Sequence, residues 1–343
     1  MTKHFKASIG AAAALALSAN MAFAMEITGA GSTFVFPVVA KWAAVYKGQS
    51  GDNLNYQSIG SGGGIAQIKA KTVTFGVTDK PLTGKELAAA GLTQFPVIIG
   101  GIVPIVNVRG LAPGKLVLNG PTLVAIFQGK IRRWDAPEIK KLNPGLALPG
   151  QAIAVVHRSD GSGTTYQFST YLARISKDWA DNIGADTAID WPVGIGAKGN
   201  EGVAGNVGHI SGAIGYVEYT YAKQNHLNYA KMINKDGKTV DATPDNFKAA
   251  AASADWAAAA KNNFVVLFLD DAGANTWPIT ATTSAVMYKN PGDKAASAAA
   301  LKFFKWGMEK GDQLALGLDY VPLPQNAVSA IEASWKGIVG SGM

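Results

Sequence analysis

Short apolar stretches of strand length alternate with helix-length patterns along most of this chain, and several of the junctions between them are turns of glycine and small hydroxyl residues. The expected strands are Glu26 to Thr28, Leu54 to Gln57, Thr74 to Val77, Val97 to Val108, Ile153 to His157, Ala213 to Val217 and Ala285 to Tyr288. Helical patterns include Leu123 to Phe127, Val203 to Val207, Lys294 to Lys310 and Asn326 to Gly337. Alternation of this kind points to an α/β architecture with largely parallel sheets. Ala249 to Ala260, rich in a good helix former and interrupted by Asp255, reads as a surface helix. With no repeat and no long low-complexity linker, any domain boundary has to be crossed by short strand-like segments. Ile99 to Val106 and Trp277 to Thr283 fit that need. Crossing at both makes one discontinuous domain from residues 25–103 and 280–343, and a second from 104–279.

Three of the turns carry chemistry. Arg158-Ser159-Asp160-Gly161-Ser162-Gly163-Thr164 precedes a helix-like segment from Thr165 to Arg174, Gly29-Ala30-Gly31-Ser32-Thr33-Phe34 precedes one through Val38, Trp42 and Val45, and Gly60-Ser61-Gly62-Gly63-Gly64 precedes one through Ile65 and Ile68. Backbone N–H groups at a helix start are unpaired, and the helix dipole adds about half a positive charge, so an oxyanion settles there readily. Arg158 adds a planar fork of donors that stays charged at any working pH. A capped helix after an ordinary glycine turn is the plain alternative for each turn alone; three together suggest one shared ligand. Ligands of open α/β sheets sit beyond the carboxyl ends of the strands, so closing a cleft between two domains would bring these turns together. Nucleotide signatures are missing. Phe34 stands where a dinucleotide fingerprint needs its third glycine, and no Gly-Lys pair completes a phosphate-binding loop.

Asp79 ends the strand-like Phe75-Gly76-Val77-Thr78 and is followed by Lys80-Pro81. It is either a turn residue satisfied locally or, in the mouth formed by the three turns, the one group that only accepts hydrogen bonds. Such a group repels sulfate but accepts the proton that phosphate retains near neutral pH. A site built around a ligand's O–H rejects an analogue lacking it by roughly 10⁴ to 10⁵, whereas size alone contributes about 1 to 3 kcal/mol. Asp160, two residues beyond Arg158, is placed either to hold the guanidinium fork or to form a surface ion pair of about 0 to 1 kcal/mol.

Residues 1–24 carry Lys3 and Lys6, an apolar run from Ile9 through Leu17, and Ala22-Phe23-Ala24, the order of a cleaved secretory signal. No later segment approaches the ~20 apolar residues of a spanning helix, so membrane insertion is not expected. The chain contains no cysteine, which removes disulfides, thiol catalysis and thiolate metal sites. The formal charge of +7 falls to +5 once Lys3 and Lys6 leave, and it is spread as single lysines, so nucleic acid binding has little support.

The four segments Gly29 to Phe34, Gly60 to Gly63, Phe75 to Asp79 and Arg158 to Thr164 resemble, in this order, the substrate-binding protein of the bacterial ABC-type phosphate transporter, the PstS family. The similarity extends through Gly129-Lys130-Ile131 with Trp134-Asp135, Gly199-Asn200-Glu201-Gly202-Val203, Gly212 to Val217 and Tyr320-Val321-Pro322-Leu323-Pro324. The resemblance implies a two-lobed periplasmic binding protein of type II-like form, two α/β domains joined by a two-strand hinge with phosphate held dehydrated between them. It implies that the Thr33 hydroxyl, the N–H groups of Thr33 and Phe34, and Ser61 donate from the first domain. Asp79 accepts the phosphate proton. Arg158, Ser162, Gly163 and Thr164 donate from the second domain, with Asp160 orienting Arg158. Gly62 stands where some relatives carry a second serine, so no role is carried to it. Ser32 and Ser159 stand where alanine is common, and neither change removes a group the site needs. The implied function is capture of inorganic phosphate in the periplasm and delivery to an inner-membrane ABC permease, by a monomer that needs no cofactor or metal and is not an enzyme.

Two other classes were weighed against this. A receptor for sulfate, molybdate or arsenate would use the same cradles, but Asp79 argues against a fully deprotonated anion. An exported serine hydrolase would need Ser162, His157 and Asp160 to cooperate, yet Asp160 occupies the glycine position of a nucleophile elbow. Strand alternation also turns His157 away from Arg158. The four histidines show no metal-ligand spacing, and the eight tryptophans are scattered as packing residues.

Overall fold

The computed structural model describes residues 24–342, and the expected signal segment lies outside these residues except for Ala24. One continuous sheet path organises the chain in the order Asn53–Ser58, Glu26–Gly31, Phe75–Thr78, Ile279–Tyr288, Leu92–Val106, Ala213–Glu218, Ala154–Arg158, Ile195–Ala197. The three strands at each end of this path are parallel to their neighbours, and each trio is the sheet of one lobe. The middle is antiparallel, because Ile279–Tyr288 runs against both Phe75–Thr78 and Leu92–Val106. The expectation of largely parallel sheets therefore holds within the lobes and not where they join.

Leu92–Val106 makes that junction. Its residues from Leu92 to Gly101 pair with Ile279–Tyr288, and those from Ile102 to Val106 pair with Ala213–Glu218. Apolar residues on both faces suit a strand covered on both sides, and all but Thr93 are buried.

Helices cover the lobes. Phe36–Ser50 opens with proline in its first turn, buries Val38, Val39, Trp42 and Tyr46 at helical spacing, and ends at Gly51 in the left-handed region. Lys294–Lys310 starts on an Asp293 cap and packs Phe303 and Phe304 into the same lobe, where Phe304 meets Phe75 and Phe95 edge-to-face at 4.9 and 5.5 Å. In the other lobe Phe168 stacks on Tyr216 at 4.2 Å and meets Phe127 at 4.9 Å. Such ring pairs contribute about 0.5 to 1.5 kcal/mol each beyond burial.

Two expectations need correction. Ala249 to Ala260 is not one helix but parts of two, Pro244–Ala251 and Trp256–Lys261. The Asp255 side chain accepts the Ala258 N–H and restarts the chain as a cap, which outweighs alanine propensity. A small second sheet of Val117–Asn119, Lys231–Ile233 and Thr239–Val240 was not foreseen, its strands being too short to show a period. Five tryptophans (Trp42, Trp134, Trp179, Trp277 and Trp335) are fully buried, in keeping with packing roles. Among the described residues no helix is long and apolar enough to cross a membrane.

Candidate functional site

The carboxyl ends of both parallel trios face one another, and the residues expected to hold the anion lie at that meeting. From the first lobe, Glu26–Gly31 ends in a turn that has to be glycine: Gly31 sits at φ 144°, and a Cβ there would strike the Val77 backbone. The turn presents Ser32, Thr33 and Phe34, all buried. Ser61 stands in the first turn of the helix Ser61–Lys69. Asp79 follows directly on Phe75–Thr78.

Asp79 is 1% exposed, and both its oxygens are held. The Ser32 hydroxyl donates to Oδ2 and the Thr283 hydroxyl to Oδ1, each at 2.7 Å, while the Asp79 N–H donates to Ser61 Oγ at 3.2 Å. Burial raises its pKa to about 6, against the lowering effect of those hydroxyls and of Arg158. The group is ionised near neutral pH and retains acceptor capacity, since a carboxylate offers about four lone-pair sites.

From the second lobe, Ala154–Arg158 delivers Arg158, whose side chain is 1% exposed. Asp160 grips it in a fork, with Nε donating to Oδ1 at 2.7 Å and Nη2 to Oδ2 at 2.5 Å. Burial alone would raise the Asp160 carboxyl, but the guanidinium overrides it and holds the pKa below the usual range. The two side chains thus form a bidentate pair that is largely buried rather than a surface contact. Ser162 caps the helix Gly163–Ile175 by accepting the Thr165 N–H at 3.0 Å, which leaves the Gly163 and Thr164 amides without an intrahelical acceptor.

The lobes meet across the site. Gly62 N–H donates to Gly161 O at 2.8 Å, Gln167 Nε2 donates to Asp79 O at 2.5 Å, and Lys80 at the rim pairs with Asp186 at 2.7 Å. Asn200, at the start of the helix Gly199–His209, ties the two sides together: its N–H and Nδ2 donate to Thr33 Oγ1 at 3.1 and 2.6 Å, and Nδ2 also reaches Thr164 Oγ1 at 3.3 Å.

These scaffold bonds have one shared consequence. The hydroxyl oxygens of Thr33, Ser162 and Thr164 each accept from a scaffold N–H, so each hydroxyl hydrogen is free to point at a guest, whereas Ser61 accepts the Asp79 N–H and its hydroxyl also stabilises the Asp79 carboxylate. Arg158 and Asp160 cancel, and Asp79 leaves the formal charge of the cluster negative. An anion held here would rest on oriented hydroxyl and amide dipoles and on a helix start rather than on net positive charge.

All nine residues expected at the site are brought together. One expected donor is engaged elsewhere: the Phe34 N–H donates to Ser32 Oγ at 3.0 Å. Ser32 supplies a group that the sequence reading did not assign, bridging Phe34 and Asp79. Sequence reading also missed Thr283, Gln167 and Asn200. All three lay in segments already singled out, Thr283 in Trp277 to Thr283, Gln167 in Thr165 to Arg174 and Asn200 in Gly199 to Val203, but none of them as a site residue. His157 stacks on Trp191 at 4.9 Å with Nδ1 against the Arg158 carbonyl, so its ring is occupied away from the cluster.

A family model described as a PBP superfamily domain matches residues 11–309. The chain is 50% identical over 318 residues to the phosphate-binding protein PstS of Xylella fastidiosa strain 9a5c, covering 93% of this chain and 87% of that one. It is 46% identical over 313 residues to the phosphate-binding protein PstS of Haemophilus influenzae, covering 91% and 93%. Among solved structures, an ancestral soluble variant of the human phosphate binding protein superposes with a TM-score of 0.71 at 19% identity, covering 93% of this chain and 99% of the other. A phosphate ABC transporter substrate-binding protein from Clostridium perfringens, solved with bound phosphate, gives 0.64 at 21% identity, covering 87% and 100%. The fold is that of two-lobed periplasmic binding proteins, and the chain belongs to the PstS family of phosphate-binding proteins.

Proposed function

We propose that this chain captures inorganic phosphate between its lobes and hands it to an inner-membrane ABC permease, acting as a monomer in the periplasm after loss of residues 1–24. The lobes are assigned as 25–103 with 280–343, and 104–279. The strand Leu92–Val106, which changes partner between Gly101 and Ile102, supports one crossing near that boundary. Thr33, Phe34, Ser61, Arg158, Ser162, Gly163 and Thr164 surround the anion, Asp79 takes its proton, and Asp160 holds Arg158.

The observation that carries this reading is Asp79: a buried carboxyl, held by the Ser32 and Thr283 hydroxyls, beside the donors of Thr33, Ser162 and Thr164. Sulfate brings no hydrogen for Asp79 and would set its own charge against the carboxylate, a rejection of roughly 10⁴ to 10⁵ in affinity. Phosphate near neutral pH brings one. The chain binds without turnover in this reading, since Ser162 caps a helix and His157 stacks on Trp191. Calorimetric titration with phosphate, sulfate and arsenate tests it. Tight phosphate binding with sulfate excluded is the expected result; equal binding of the two overturns it, and hydrolysis of phosphate esters abolished by Ser162→Ala would favour an enzyme.

A further inference from the structure

Glu218 is a second buried acid, fully enclosed where Ala213–Glu218 ends, and the phosphate reading gives it no task. Its surroundings fix its protonation by counting hydrogens. Tyr320 Oη lies 2.5 Å from Phe34 O and 3.0 Å from Glu218 Oε2. Thr220 Oγ1 lies 2.6 Å from Leu318 O and 3.2 Å from Glu218 Oε1. Each hydroxyl has one hydrogen, and a carbonyl only accepts, so both hydrogens belong to the shorter contacts with Phe34 and Leu318. The hydroxyls then turn lone pairs toward Glu218, and the carboxyl, with one hydrogen to give, supplies it from Oε2 to Tyr320 Oη at 3.0 Å, leaving the 3.2 Å approach of Thr220 Oγ1 to Oε1 without one. The Thr220 N–H, at 2.9 Å from Oε2, is the other donor that faces it.

We propose that Glu218 is a positioning residue: held as the neutral acid, it steadies Tyr320 beneath the Phe34 carbonyl and so fixes the Thr33–Phe34 turn at the anion site when the lobes close. This rests on the phosphate reading above. Glu218 is also tied to the site from its other end, since its N–H donates to the Asn200 carboxamide oxygen at 2.9 Å and Asn200 holds Thr33. The titratable groups that face it are Tyr320 and Asp319 from the segment before Val321 and Tyr221 beyond Thr220, and no ion pair reaches it among the described residues. Burial, reinforced by Asp319, pushes the carboxyl up to about 8. Opening parts the carboxyl from Tyr320 and wets it, which lowers its pKa toward the ordinary range. Closure between the two values takes up a proton. The closed form is favoured on the acid side and loses up to about tenfold in affinity per pH unit as pH rises to about 8, where the dependence ends.

The test compares wild type with Glu218→Gln, which stays neutral and keeps a donor, from about pH 6 to about pH 9, bracketing the carboxyl's titration. Phosphate and Asp79 titrate alike in both proteins, so the ratio of affinities isolates Glu218. Calorimetry in buffers of different ionisation enthalpy is expected to show up to roughly one more proton taken up by wild type on binding phosphate, and the Gln variant is expected to gain relative affinity as pH rises. Infrared difference spectra of wild type against Glu218→Gln should show a neutral carboxyl band near neutral pH. Tyr320→Phe should weaken phosphate binding and flatten the ratio. A constant ratio together with a carboxylate band overturns the positioning role while leaving phosphate binding intact. A wild type that binds no phosphate at any pH overturns the functional reading, and this proposal with it.

Discussion

A methyl group added at Gly163 would lie 2.6 Å from Asp79 Cβ and 2.5 Å from Ser61 Oγ, so the first residue of the helix Gly163–Ile175 has no room for a side chain against the opposite lobe. Gly163→Ala is therefore expected to hold the lobes apart and to weaken phosphate binding at least tenfold, about 1.4 kcal/mol or more. Thermal unfolding of the ligand-free protein should change little, because the added methyl clashes only on closure. Titration calorimetry beside a melting curve checks both, and wild-type affinity would refute the closed geometry.

Asp79→Asn tests the acceptor. The pKa of Asp79 is raised to about 6 in the closed protein, so its charge is present above that value and is lost as pH falls through it. Wild-type affinity for sulfate should thus rise from about pH 7 to about pH 5, as the neutral acid becomes a donor. The Asn variant, with a fixed donor, should bind sulfate at both values with little dependence on pH. Sulfate rejection that is the same in both proteins would remove Asp79 from the selection step.

The Arg158–Asp160 fork predicts two different losses. Arg158→Ala should cost at least about 1.5 to 3 kcal/mol in phosphate affinity, the loss of a charged donor. Asp160→Ala should act on the empty protein instead, destabilising it by a few kcal/mol through a buried guanidinium left unpaired. Denaturant titration of the ligand-free variant reads this directly.

Ser32→Ala tests the bridge between Phe34 and Asp79. Its hydroxyl stabilises the ionised form of Asp79, so removing it should shift the pH profile of phosphate binding upward, with a loss of about 1 kcal/mol near neutral pH. An unchanged profile would show that Thr283 and Ser61 suffice.

The legible part of this site was its chemistry, and the illegible part its scaffolding. Asp79, Arg158 and Asp160 stand out in sequence because charged groups at strand ends among glycines are poor candidates for packing. Thr283 and Gln167 carry no such mark: a threonine inside a strand and a glutamine inside a helix are ordinary residues until residues 204 and 88 positions away arrive beside them. The fold followed the same division. Long periodic segments such as Lys294–Lys310 were read to the residue, while the break at Asp255 turned on one local capping bond.

Gly62 and Gly161 touch through main chain, amide to carbonyl, with no side chain on either residue to swing aside. The gap between the jaws is consequently a fixed gauge rather than an adjustable one. A guest too large for that gap would have to prise apart the peptide backbone itself.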